Sequence, residues 1–155
     1  MSLLIRMTIV LALLFPTFPM MVHGAQGEEF FKDIDLDRFI EQEKASVEQL
    51  KKKKIARAEP VRFKAKMKRP PEEKNMTYVY TAMEVAGVNP LPDVGHRMFI
   101  ETAGKRIIPV YVEKATALWL KSGMKAEARA QFLGYHIYSY DKGPAILIVG
   151  FNTVK

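Results

Sequence analysis

The segment Val61-Arg62-Phe63-Lys64-Ala65-Lys66-Met67-Lys68 alternates without a fault. Val61, Phe63, Ala65 and Met67 share one side, and Arg62, Lys64, Lys66 and Lys68 share the other. A period of two is the repeat of a pleated strand, whose successive side chains point to opposite faces. This stretch is therefore expected to be a strand with one face in a core and a basic face outside. Pro60 precedes it and Pro70-Pro71 follows, so the expected strand ends there. The basic face has two readings. Cations spaced about 6.6–7 Å apart track an anionic polymer, while lysines on an edge strand deter edge-to-edge pairing.

More strands are expected downstream. His96–Thr102 and Arg106–Val112 are separated by Ala103-Gly104-Lys105, a gap of hairpin length. Glu113–Ser122 has good helix formers and ends at Gly123. Glu127–Tyr140 reads as a long strand with a bulge or bend at Gly134, and Asp141-Lys142-Gly143 as a turn. Pro144 then opens a last apolar strand, Ala145–Phe151. Residues 70–95 form a connector. Within it Asn75 is placed to cap a short helix over Met76–Ala86, ended by Gly87, although Tyr78, Tyr80, Met83 and Val85 also fit a strand.

The first 24 residues, MSLLIRMTIVLALLFPTFPMMVHG, carry Arg6 as their only charge and a short apolar run interrupted by prolines. A membrane-spanning helix needs about 20 apolar residues. The pattern is that of a secretory signal, with Val22 and Gly24 before a cleavage at Ala25. An uncleaved anchor is the alternative. The chain has no cysteine, so an exported product gains nothing from disulfides and its core must suffice. A periplasmic location is expected.

The net charge of +7 becomes +6 without Arg6. It is zoned: Ala25–Glu43 is net −5, Lys44–Arg69 net +9 and Pro70–Lys155 net +2. Residues 25–58 are expected to form one amphipathic helix, capped by Asp33 or Asp35, acidic at its start and basic at its end, as the helix dipole favours. Its apolar stripe, Leu36, Ile40, Val47 and Leu50, is interrupted by Glu43. Lys51–Lys54 is either a solvated helix end or a contact for an anionic surface. The domain division is thus 1–24, 25–58 and 59–155.

The expected order from Val61 is strand, insertion, strand, strand, helix, strand, strand. It resembles an OB-fold, a five-stranded barrel with a helix between its third and fourth strands. The resemblance rests on VRFKAKMK, the HRMFIET and RIIPVYV hairpin, the helix EKATALWLKS, and the EARAQFLGYHIYSY and AILIVGF pair, covering about 61–151. The long 70–95 insertion and Pro109 within the third strand depart from it. The fold class is mainly β with helices: an OB-like five-stranded barrel preceded by a long N-terminal amphipathic helix. The alternative is an α+β sheet with helices on one side.

No catalytic, cofactor or metal motif is found. His96 and His136 are forty residues apart and lack ligand spacing, Ser122 and Ser139 lack a nucleophile context, and the glycines are dispersed. Trp119 is expected to plug an end of the barrel. By period two, His136, Tyr138 and Tyr140 share a face that is either core or a stacking platform. The reading is an exported, non-catalytic binding module. Its candidate binding residues are Arg62, Lys64, Lys66, Lys68, Tyr138 and Tyr140. Its expected partner is an envelope protein, an anionic glycan or a lipid surface. Single-stranded nucleic-acid binding and a small periplasmic enzyme are the alternatives.

Overall fold

The computed structural model describes residues 30–50 and 54–154. The Met1–Gly24 signal pattern and Lys51–Lys53 of the lysine run lie outside them. The protein is mainly β, with a six-stranded mixed sheet and three helices among the described residues.

A two-residue strand β1 (Lys32–Asp33) leads into helix α1 (Leu36–Leu50). Asp35 starts α1 by accepting the Arg38 N–H at 3.0 Å, satisfying one of the donors that a helix start leaves open. Leu36, Ile40 and Val47 are buried along one side of the helix.

Strand β2 runs over Lys54–Glu73, far beyond both expected ends. The expected helix over 25–58 therefore stops at Leu50. Ile55–Glu59 contains good helix formers, but pairing with the tyrosine-rich strand β5 (Arg129–Tyr140) overrides them, with Lys54 opposite Ser139 and Glu59 opposite His136. Pro70-Pro71 does not end the strand either. Both prolines fall in a register shift between Arg69 and Glu72, where the ladder skips residues and a missing N–H costs no bond.

Three residues, Lys74, Asn75 and Met76, lead from β2 into α2 (Thr77–Val85). Asn75 Oδ1 accepts the Thr77 N–H at 3.2 Å. The helix closes with Val88 N–H to Met83 O and Gly87 N–H to Glu84 O, and Gly87 adopts the left-handed φ that this motif requires. The helical reading of this segment is thus the right one. Next come β3 (Val94–Glu101), β4 (Ile107–Glu113), α3 (Lys114–Gly123), β5 and β6 (Gly143–Thr153).

The hydrogen-bonded order is β1-β2-β3-β4-β6-β5, and β2 pairs with β5 as well. The β1–β2 and β4–β6 pairs are parallel and the others antiparallel. Pro109 fits because β4 pairs with β6 only at Tyr111 and Val112, beyond the proline. A register shift at Leu133/Gly134 bears out the expected bulge, and a second lies at His136/Tyr138.

The main core joins Phe63, Met67, Met98, Ile100, Phe132 and Ile146 to Leu36 and Ile40 of α1 and Ala117 and Leu120 of α3. Full burial of each such side chain contributes about 2 kcal/mol. A second cluster sets Met76, Val79 and Met83 of the α2 segment against Ile137, Tyr138 and Leu147. No described helix is long and apolar enough to cross a membrane.

Candidate functional site

The basic face of β2 is real, but most of it is neutralised within the chain. Arg62 grips Asp33 of β1 through two bonds, Nε to Oδ1 at 2.7 Å and a second guanidinium nitrogen to Oδ2 at 2.5 Å. Lys66 lies 3.1 Å from Glu101 and 3.2 Å from Glu127, while Lys68 lies 3.4 Å and 2.8 Å from the same acids. Lys105 adds a contact to Glu101 at 3.5 Å. The Lys66 hydrogen bond is the main reason the Glu101 carboxyl is held down at about 2, and the same acids raise the ammonium pKa values of Lys66 and Lys68. Lys64 is exposed, between the two ion-paired groups. Edge protection does not explain the lysines, because β2 has β5 on one side and β1 and β3 on the other.

The tyrosine platform is also covered. Tyr138 is only 4% exposed. Its hydroxyl is 2.8 Å from that of Tyr111, its ring meets Tyr78 of α2 edge-on at 5.2 Å, and burial drives its pKa well upward. Tyr140 is half-buried beside it, at 5.9 Å between ring centres. The connector supplies the cover. Tyr80 of α2 is pinned to β3 by its hydroxyl, which accepts the Val94 N–H at 2.9 Å.

His136 does not share the surroundings of Tyr138, because the bulge between them breaks the period of two. Its ring meets Phe39 of α1 edge-on at 5.1 Å, and Nε2 is 2.9 Å from Ser139 Oγ. Ser139 in turn donates to Glu43 Oε2 at 2.7 Å. This buried group is a tie between α1 and β5. His96 is buried on β3, its Nδ1 has no hydrogen-bond partner, and burial, more than the nearby Lys121, lowers its pKa. Among the described residues no group of three or more His, Asp or Glu is arranged to hold a metal ion.

A cleft of about 250 Å³ opens between the start of α1 and β2, bordered by Asp33, Asp35, Asp37, Phe63 and Lys64. Its acids are committed elsewhere: Asp33 to Arg62, Asp35 to the α1 cap, and Asp37 to Thr102 and the Gly104 N–H.

The outward cation–aromatic group lies on β2 and β3, where the sequence reading did not place it. Phe99 is the outward neighbour of core residues Met98 and Ile100. Arg69 sits opposite it on β2 and Pro109 on β4. The guanidinium carbons of Arg69 and Arg97 both lie 5.1 Å from the Phe99 ring centre. Arg97 is also held by Glu72 at 2.6 Å, and its Nε is buried without a hydrogen-bond partner. Ile107, 53% exposed, extends the apolar edge along β4. The alternation Arg97-Met98-Phe99-Ile100 was a visible signal of an outward arginine and phenylalanine. The contribution of Arg69 was hidden, because Pro70 placed it at a strand end.

Comparison with known proteins returns no matching family model and no matching curated protein.

Proposed function

We propose that this chain is an exported, non-catalytic binding module of the bacterial cell envelope, built on an OB-type barrel. Its ligand face is the outer surface of β2, β3 and β4 around Phe99, and its ligand is an anionic polymer. The barrel reading rests on the pairing series β2-β3-β4-β6-β5, which returns to β2, and on α3 falling between the third and fourth of these strands. Export rests on the Met1–Gly24 pattern.

The observation that carries the ligand face is Phe99 flanked by Arg69 and Arg97, each at 5.1 Å. The ring beside the exposed Arg69 offers a stacking surface for a ring of the polymer, and Arg69 supplies positive charge for its anions, while Arg97, paired with Glu72, holds the ring in place. Arg62, Lys66 and Lys68 spend their charge on internal acids, which moves the binding role away from them and leaves Lys64 at the margin. The non-catalytic reading is supported by the burial of His136 and Ser139 in a structural tie.

Fluorescence anisotropy with a labelled sulfated oligosaccharide and a labelled oligo-dT tests this face. Binding is expected to weaken steeply with salt. Phe99→Ala is expected to weaken it about tenfold, and Arg69→Glu further. Wild-type affinity in both variants refutes the proposed face. Clear preference for oligo-dT would make single-stranded nucleic acid the ligand class.

A further inference from the structure

We infer that the outer face of α3 is a docking surface for an anionic lipid bilayer. Thr116, Ala117 and Leu120 point into the protein and are buried. The opposite side presents Leu118 at 64% exposure and Trp119 at 44%. Trp119 therefore does not plug the barrel end as expected: Leu120 is the α3 side chain in the core, and Trp119 faces outward. One helical row reads Lys114, Leu118, Lys121 and the adjacent row Ala115, Trp119, Ser122, each at i, i+4, i+7 spacing. All six are exposed.

The charge on the helix itself is of one sign. Lys114–Lys125 contains three lysines and no acid. Lys114 is bridged to Asp93 at 3.0 Å, whereas Lys121 and Lys125 are exposed past the apolar pair. Tryptophan and leucine beside lysines on one outward helix face match a bilayer interface. The rings and aliphatic groups enter the headgroup boundary while the ammonium groups stay at the phosphates. Charge complementarity selects anionic headgroups over neutral ones. This surface is distinct from the Phe99 face and does not depend on it.

The chain has one tryptophan, so its emission reports on α3 alone. Co-sedimentation by itself does not suffice, since the apolar Met1–Gly24 segment also favours membranes. The full chain is titrated with vesicles of phosphatidylglycerol and phosphatidylcholine, and with phosphatidylcholine alone, while Trp119 emission and its quenching by brominated lipid are followed. A shift to shorter wavelength with quenching is expected on the anionic vesicles only. Lys121→Gln with Lys125→Gln should lower the apparent vesicle affinity read from this shift by about tenfold or more. Leu118→Asp should abolish the shift with an unchanged far-ultraviolet spectrum, because the site is exposed. Unchanged emission on anionic vesicles overturns the inference, even if the chain sediments with them. So does an equal response to neutral vesicles, or a shift that grows with protein concentration without lipid, which would mark α3 as a contact between copies.

Discussion

Asp37 on the first turn of α1 accepts the Thr102 hydroxyl at 2.6 Å, across 65 residues of sequence. Its other oxygen accepts the Gly104 N–H at 2.7 Å. One carboxylate thus fastens α1 to the β3–β4 turn. Arg106 adds a looser contact at 3.9 Å and also pairs with Glu41. Asp37→Ala leaves the Thr102 hydroxyl and the Gly104 N–H without their acceptor, at a cost of about 2 kcal/mol. Gly104→Ala attacks the same joint from the other side, because a Cβ there would stand 2.8 Å from Asp37 Oδ1. Urea unfolding should show both variants destabilised, with the double variant well short of the sum. Additive losses would mean that the two residues do not act as one joint.

Glu101 gives the protein an acid limb. Lys66 and Lys68 hold its carboxyl at about 2, against an ordinary 4.5. A folded-state pKa below the unfolded one means that the unfolded chain binds the proton first. The stabilisation is therefore complete above about pH 4.5 and disappears as the pH falls through about 2. Glu127 acts in the same direction through Lys68 and Lys66. Thermal unfolding between pH 2 and 6 should show a rising Tm in the parent chain and a shallower rise in Glu101→Gln. Parallel curves would remove Glu101 from the acid response.

Much of this arrangement was legible where one rule acted alone. The Val61–Met67 alternation, the hairpin of β3 and β4, the helix before Gly123 and the bulge at Gly134 all follow from local periodicity and glycine. Failures came where a distant partner outweighed the local signal. Ile55–Glu59 looked helical until β5 claimed it, and Pro70-Pro71 looked terminal until a register shift absorbed the missing donors. Trp119 looked like a core residue by type alone, yet the helix phase that buries Thr116, Ala117 and Leu120 turns it outward. The candidate site was half legible. The cations of β2 were seen, but the acids that neutralise them come from other elements, and no period in the sequence links Lys68 to Glu127.

Gly134 is required by space. A Cβ at this position would overlap the carbonyl oxygen of Leu147 on β6, a backbone atom fixed by the β5–β6 ladder. Gly134→Ala is therefore expected to cost about 3 kcal/mol, by strain across the bulge that no side-chain rotation relieves. Gly150→Ala is the control, since its nearest neighbours are Leu133 side-chain atoms at 3.5 Å and 3.8 Å, ordinary contacts. Chemical denaturation should separate the two clearly. Equal stability would show that β6 yields at Leu147.

Glu43 interrupts the apolar stripe of α1, and the reason is Ser139. The acid stands where a leucine would complete the core-facing side, and its carboxylate receives the Ser139 hydroxyl at 2.7 Å across 96 residues. His136 Nε2 approaches the same hydroxyl at 2.9 Å and the carboxylate at 3.9 Å. Ser139 is fully buried, so removing its hydroxyl leaves buried polar groups short of a partner. Ser139→Ala should cost about 2 kcal/mol. Glu43→Leu should also destabilise, because it removes the carboxylate that accepts the Ser139 hydroxyl although it completes the stripe. Replacing both partners by apolar groups removes that penalty, so Glu43→Leu with Ser139→Ala should recover part of the loss, with a coupling of about 1 kcal/mol or more. Equilibrium unfolding of the four species measures this coupling. A value near zero would mean that the Glu43–Ser139 contact, and with it the break in the stripe, does not specify the docking of the helix.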